Sequence, residues 1–301
     1  MSVAYILGVR LIVPENLNCF REEGMPMKFG FIGAGKVGFS LGKFFKTHGM
    51  EVVGYYSLLK EDAISAASFT QTNPYDSLEE LVRDSDVLFL TVPDDNISDV
   101  WDELNSIEFK NKIVCHTSGS LSSEIFSGID NHSSYGYSIH PLFALSDPYE
   151  AYKELSNVYF TIEGHEEKLS IVKGWFDSLG VKTRTIKTED KVLYHAAAAM
   201  ASNLVVGLID MAESFIPHEA LIPIMEGNMK HIVSDGTTMA LTGPIERGDI
   251  ATVQKHMKAL SDDKREAYVA LSKQVLNVAK RKNPARDYSE MQAVLDNVLI
   301  D

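Results

Sequence analysis

Apolar and polar positions fall into two regimes along the chain. Up to residue 186, short strand-like apolar runs recur at 29–32, Glu51–Tyr56, 87–92, 112–116, 135–140, 157–162 and 181–186. Segments with helical character separate them, at 78–83, 97–104 and 166–179 among others. Alternation of this kind predicts parallel β-α-β units, and so an α/β, doubly wound domain. From Thr188 onward the strand signal stops, and long helical runs follow at 191–215, 222–234, 250–260, 264–280 and 288–298. The chain is therefore expected to divide into an N-terminal extension (residues 1–26), a doubly wound domain (27–187) and an all-helical C-terminal domain (188–301). Met27, just ahead of the first strand, is a candidate translation start that would make the extension an artefact; the alternative is an N-terminal arm.

The first of these runs turns directly into Gly33-Ala34-Gly35-Lys36-Val37-Gly38, a G-x-G-x-x-G. The first glycine permits a turn that a side chain would block, and the second lets the backbone approach a pyrophosphate. The third lets the following helix pack closely on the strand. Val37, Leu41, Phe44 and Phe45 recur at helical spacing behind the glycines, and Gly49 ends that helix. Residues 33–38 are thus expected to grip a dinucleotide, with phosphate at the helix N-terminus. About 20 residues further on, an NAD site would place an acidic residue against the ribose 2'-hydroxyl. This chain has Tyr55, Tyr56 and Ser57 there, with Lys60 close by. Ser57 and Lys60 suit a 2'-phosphate, so NADP is the expected cofactor and NAD the alternative. Val92 and Pro93, after the fourth strand, are expected to wall the nicotinamide side.

Three segments carry candidate chemistry. The next strands end in His116-Thr117-Ser118-Gly119 and Ser138-Ile139-His140-Pro141, bringing hydroxyls and imidazoles to one sheet edge. There, Ser118 and His140 either contact substrate or hydrogen-bond a neighbouring loop. On the helix from Lys191, a spacing of 100 degrees per residue groups Lys191, His195 and Ser202 on one stripe, with Asn203 further round. Lys191 or His195 could supply a proton while Asn203 orients the substrate; otherwise the stripe only packs the helix onto the first domain. Residues 241–249, Leu-Thr-Gly-Pro-Ile-Glu-Arg-Gly-Asp, read as a turn with Asp249 capping the next helix. Arg247 in that turn either meets an anionic substrate group or bridges to a carboxylate.

Composition narrows the function class. The 301 residues carry a formal net charge of -14 and are 45% hydrophobic, enough for a substantial core. Neither half is basic, so no nucleic-acid or membrane partner is expected. The apolar stretch 3–13 contains Arg10 and is too short to span a bilayer. Cys19 and Cys115 make no disulfide framework and no metal cluster, and a cytoplasmic setting fits best.

Taken in order, the glycine turn, Val92-Pro93-Asp94, His116-Thr-Ser-Gly119, Ser138-Ile-His-Pro141, Tyr194-His-Ala-Ala197 with Asn203, and Thr242-Gly-Pro-Ile-Glu-Arg-Gly-Asp249 make a pattern. Over about residues 27–260 it resembles the Rossmann-like oxidoreductases whose C-terminal half is domain of unknown function 2520. That family is similar in layout to pyrroline-5-carboxylate reductase, ketopantoate reductase, the 6-phosphogluconate dehydrogenase group and F420-dependent NADP reductases. The resemblance implies a Rossmann domain, a helical domain that builds a homodimer, and an active site in the cleft between them. Related reductases often carry a catalytic lysine followed on the same helix by asparagine; here Lys191 is followed by His195, and the asparagine comes only at Asn203. The expected activity is hydride transfer with NADP to or from a small carbonyl, hydroxyl or imine compound carrying an anionic group. A non-catalytic NADP-binding sensor or scaffold is the alternative.

Overall fold

The computed structural model describes residues 26–297 and, upstream, the backbone of two strands, β1 (Val3–Ile6) and β2 (Val9–Ile12), paired antiparallel. The rest of the expected extension lies outside the described residues. The chain forms two compact units, Met1–Ser202 and Asn203–Asp301.

In the first unit the elements run β3 (Lys28–Ile32), α1 (Lys36–Thr47), β4 (Glu51–Tyr56), α2 (Lys60–Thr70), the short β5 (Asn73–Pro74), α3 (Leu78–Asp84), β6 (Val87–Leu90), α4 (Ile97–Asn105), β7 (Ile113–His116), β8 (Tyr135–Pro141), β9 (Tyr159–Gly164), α5 (Leu169–Ser178), β10 (Lys182–Thr185) and α6 (Lys191–Ala201). From β3 onward, the strands form one eight-stranded sheet in the order β10-β9-β8-β7-β6-β3-β4-β5. Each face buries its own cluster. Phe29 and Phe31 of β3 and Phe89 of β6 join Phe45, Trp175 and Phe176 on one side, while Ile32, Leu88 and Leu90 join Trp101, Leu104 and Phe126 on the other. That split is the period of two of a strand, and helices cover both faces.

The predicted doubly wound sheet is present, with one correction. Neighbouring strands are parallel except β9, which runs antiparallel to β8. Residues 142–158 supply only the 3-10 turns Ala151–Lys153 and Leu155–Asn157 and no crossover helix, so the chain doubles back beside β8. The order reverses around β3, which sits between β4 and β6, and the carboxyl ends of these strands form the switch-point crevice where such sheets hold ligands.

The long helix expected over 191–215 is interrupted. Ser202 has φ -127 and ψ -84, which ends α6, and α7 (Asn203–Glu213) begins anew in the second unit. The sheet unit therefore includes α6, whose first residue is tied to β7 and β8 as described below. Thr188–Glu213 is long and apolar enough to cross a membrane by length and composition, with hydropathy 1.7. It nonetheless contains this break and the buried Lys191.

After α7 the second unit continues with α8 (His218–Ala240), α9 (Pro244–Arg247), α10 (Ile250–Ala259), α11 (Asp262–Lys282) and α12 (Ser289–Asp296). Ile245, Val253, Leu276, Tyr288, Met291 and Leu295 make its core. Residues 241–249 form the capped turn that their sequence predicts. Gly243 (φ 108) and Gly248 (φ 74) take left-handed backbone, and the Asp249 carboxylate accepts from the Thr252 N–H at 3.1 Å and its hydroxyl at 2.7 Å.

Candidate active site

The three glycines of the turn stand in different surroundings. Gly33 has φ +95, and a Cβ there would stand 2.8 Å from Val92 Cγ1 and 2.9 Å from the Thr91 carbonyl carbon. A Cβ on Gly38 would stand 2.5 Å from Thr91 Oγ1 and 2.6 Å from the Gly33 oxygen. The Thr91 hydroxyl itself donates to that oxygen at 2.7 Å, pinning the turn to the end of β6. Gly35 differs, because a Cβ there would meet only the Thr91 oxygen at 3.8 Å, an ordinary contact, and its φ is -79. Neither packing nor backbone demands glycine at position 35. What remains is space for a ligand at the N-terminus of α1, where no side chain caps the helix and no acidic residue sits in the first turn.

A cavity of about 520 Å³ opens beside this turn. Gly33, Ala34, Gly35, Ser57, Val92 and Pro93, all expected to bind cofactor, line it, together with Leu58, Leu59, Leu78, Val100, Asp62, Asp99 and Glu103. Lys36, Val37 and Gly38 form the first turn of α1 behind it. Lys60 is not among the lining residues. Its ammonium pairs with Asp76 at 2.6 Å, in an exposed bridge that holds its pKa above the usual lysine value. The acidic residues on the cavity wall carry no local sequence signal, since Asp99 and Glu103 come from α4, far from the glycines. Burial, then the charges of Glu103 and Glu79, raise the pKa of Tyr56.

Beyond Pro93 the chain enters a second cluster, at the ends of β6, β7 and β8. The Ser118 hydroxyl donates to Asp94 at 2.6 Å and accepts from the N–H groups of Ser120 and Leu121 at 3.1 and 3.0 Å. That hydroxyl is wholly engaged in holding the turn after β7, so Ser118 has no proton left for a substrate. Its carbonyl oxygen matters instead, accepting from Lys191 Nζ at 3.1 Å and from the Ser138 hydroxyl at 3.2 Å. Lys191 Nζ also donates to Ser138 Oγ. Only 1% of Lys191 is exposed, and desolvation lowers its pKa to about 8 even though Glu163 and Asp94 favour the ammonium.

Two histidines flank this lysine as neutral rings. His116 accepts the Ser118 N–H at Nδ1 (3.2 Å), so its Nε2 donates to the Ser122 carbonyl (3.1 Å). His140 Nδ1 lies 2.8 Å from the Tyr194 hydroxyl. Burial first, with the Lys191 charge adding to it, lowers both pKa values to about 4. Burial also raises the Tyr194 phenol, leaving it a donor, and we assign the His140 proton to Nε2 on that basis. That Nε2 faces Gly119, where a Cβ would stand 3.0 Å from it and 2.6 Å from His195 Cδ2. The His140 and His195 rings are 6.3 Å apart, centroid to centroid. A side chain at position 119 would close this opening.

The structure thus brings Lys191, His195, His140 and Ser118 together. Asn203 opens α7 in the second unit, and the break at Ser202 ends the helical spacing that groups Lys191 with His195. The Ser202 hydroxyl turns back to the Ala198 carbonyl at 2.8 Å. Asp94, Ser138, Tyr194 and Glu163 complete the cluster, and their contacts span too much sequence to be read locally. Among the described residues no group of His, Cys, Asp and Glu could hold a metal ion.

Comparison with known proteins identifies the two domains. Residues 16–141 match a Rossmann-like domain model, and residues 158–275 match domain of unknown function 2520. No curated protein matches the chain. Among solved structures, a Thermotoga maritima protein is 28% identical, covers 85% of this chain and 99% of its own, and superposes with a TM-score of 0.67. A Bacteroides fragilis protein described as an NADP oxidoreductase is 20% identical over 83% of this chain and 98% of its own, with a TM-score of 0.68. A reductive aminase from Aspergillus terreus, solved with NADPH and ethyl-5-oxohexanoate, shares the fold at 12% identity, over 90% of this chain and 98% of its own, with a TM-score of 0.58. The chain therefore carries a Rossmann-like domain followed by the domain of unknown function 2520, the fold that NADP oxidoreductases and imine reductases share.

Proposed function

We propose that the protein is an NADP-linked oxidoreductase acting on a small carbonyl, hydroxyl or imine compound. One observation carries this reading: Pro93 lines the dinucleotide cavity, and the next residue, Asp94, holds through Ser118 the turn whose carbonyl binds the buried Lys191. Gly33, Ala34, Gly35 and the N-terminus of α1 would hold the pyrophosphate, and Ser57 the adenosine ribose. A nicotinamide dinucleotide, when bound, supplies or takes up hydride; the chain's own task is the proton. With a pKa of about 8, Lys191 is mostly ammonium at neutral pH and still acid enough to protonate an oxygen or nitrogen. His140, neutral at Nε2–H, donates to the same atom as it gains charge, without a cation's cost of burial. His195, exposed beside Gly119, would border the substrate's entry to this opening.

Lys60 joins a 2'-phosphate only by leaving Asp76, and Asp62, Asp99 and Glu103 line the same cavity. The preference for NADP over NAD is accordingly expected to be small. We also propose a homodimer through the helical domain. Val206 on α7 is 70% exposed and Val233 on α8 is 78% exposed, and Leu204 and Phe215 are exposed too, apolar side chains that a second copy would cover. Light scattering at micromolar concentration should give twice the chain mass.

The activity is tested by following NADPH oxidation with a panel of cyclic imines and small ketones. Lys191→Met should lower turnover by about 100- to 10,000-fold while NADPH titration remains unchanged. Full turnover in that variant would remove Lys191 from the chemistry, and no turnover of any panel compound by the native protein would favour the sensor.

A further inference from the structure

Strand β9 reads Tyr-Phe-Thr-Ile-Glu-Gly, and its one acidic residue is buried, with 2% of Glu163 exposed. Glu163 Oε2 accepts from the Ser123 N–H at 2.7 Å; Oε1 accepts from the Ser123 hydroxyl at 2.9 Å and the Thr188 hydroxyl at 2.8 Å. Both oxygens accept, which is the hydrogen bonding of a carboxylate and not of the acid. A buried carboxylate also needs a positive charge nearby, or its desolvation goes unbalanced. The architecture brings Lys191 to it by two routes. In the β8/β9 pairing Glu163 lies directly opposite Ser138, whose hydroxyl receives the Lys191 ammonium. Thr188 opens the 3-10 turn Thr188–Asp190 that leads straight into α6 at Lys191.

We propose that Glu163 is the positioning residue of the lysine site: its carboxylate ties the turns at Ser123 and Thr188 to β9, which fixes where α6 delivers Lys191, and its charge keeps that buried side chain an ammonium. The catalytic consequence rests on the proposed oxidoreductase reading, whereas the pairing itself does not. The groups facing Lys191 are Glu163 on β9 and Asp94 after β6, which favour its charge, and the neutral rings of His116 on β7 and His140 on β8, which would oppose it if protonated. Both carboxylates are themselves held by hydroxyl donors, Asp94 by Ser118 and Ser120 and Glu163 by Ser123 and Thr188. Of the two charges, that of Glu163 acts more strongly on Lys191.

The test is NMR of the protein carrying lysine labelled with ¹³C and ¹⁵N, with the Lys191 signal assigned by its loss in Lys191→Met. In the native protein that signal should titrate near pH 8. In Glu163→Gln it should titrate about one unit lower or more, and Glu163→Asp should recover part of the shift. An unchanged titration in folded Glu163→Gln would overturn the proposal. Should Glu163→Gln fail to fold, the double variant Glu163→Gln/Lys191→Met decides: recovered folding supports the pairing, since both charges are then gone, and no recovery overturns it. None of these readouts needs substrate, so an absence of reductase activity in the native protein would contradict the function and leave this result standing.

Discussion

The glycine turn and the lysine cluster lie at one sheet edge but are specified in opposite ways. The turn is local: six consecutive residues, one φ of +95, and one helix N-terminus do the work. The cluster is long-range, with Lys191 held by a carbonyl 73 positions away and a hydroxyl 53 positions away. The turn also contains a position that the protein itself leaves open, Gly35, whereas Lys191, Ser118, Ser138 and Asp94 hold one another in place. The difference separates a turn with open space at its helix N-terminus from a site whose groups are oriented by distant parts of the chain. Electrostatic preorganisation of the second kind avoids reorganisation cost when a proton moves.

The comparison can be broken first through pH. His116 and His140 have folded pKa values of about 4 against an ordinary 6.5, so below about pH 6.5 the unfolded chain binds more protons than the folded one. Stability from these rings is complete above pH 6.5 and is lost as pH falls toward 4. For the fully buried His116 the loss is on the order of 3 kcal/mol. Melting temperature across pH 4 to 8 should fall at the acid end, and His116→Gln should flatten that fall. A pH-independent melting temperature would mean that these rings are not held neutral.

Next come the glycines that the protein needs. Gly38→Ala forces a Cβ to within 2.6 Å of the Gly33 oxygen and should cost about 1–3 kcal/mol in denaturant unfolding. An unchanged unfolding midpoint would show that α1 can shift freely on β3. The smallest effect concerns the exposed Lys60. Because it is paired with Asp76 and lies off the cavity wall, Lys60→Ala should weaken NADPH binding only a few-fold and leave NADH binding unchanged. A hundredfold loss would make Lys60 the principal 2'-phosphate ligand.

What the sequence disclosed follows the same division. The G-x-G-x-x-G, the strands at Glu51–Tyr56 and Tyr135–Pro141, and the Asp249 cap are legible because each is decided by neighbours within a few residues. Lys191 and His195 are legible as a pair for the same reason, since one helical turn separates them. Extending that spacing to Asn203 fails because the backbone at Ser202 leaves the helix, and no glycine or proline announces it. The reversed direction of β9 depends on the missing crossover helix at 142–158, and Glu163 shows only as one acid in an apolar strand. Its partners at Ser123 and Thr188 emerge only when the loop after β7, β9 and the turn before α6 come together.

The most direct measurement of the central claim, that the switch-point crevice is built for a dinucleotide, is an NADPH fluorescence titration of Gly35→Ala beside the native protein, with melting temperatures of both. The added methyl meets only an oxygen at 3.8 Å, so the fold should melt unchanged. Its place at the helix N-terminus should weaken NADPH binding by about tenfold or more. Equal binding by the two proteins would contradict the account, because glycine at position 35 would then serve neither the protein nor a ligand.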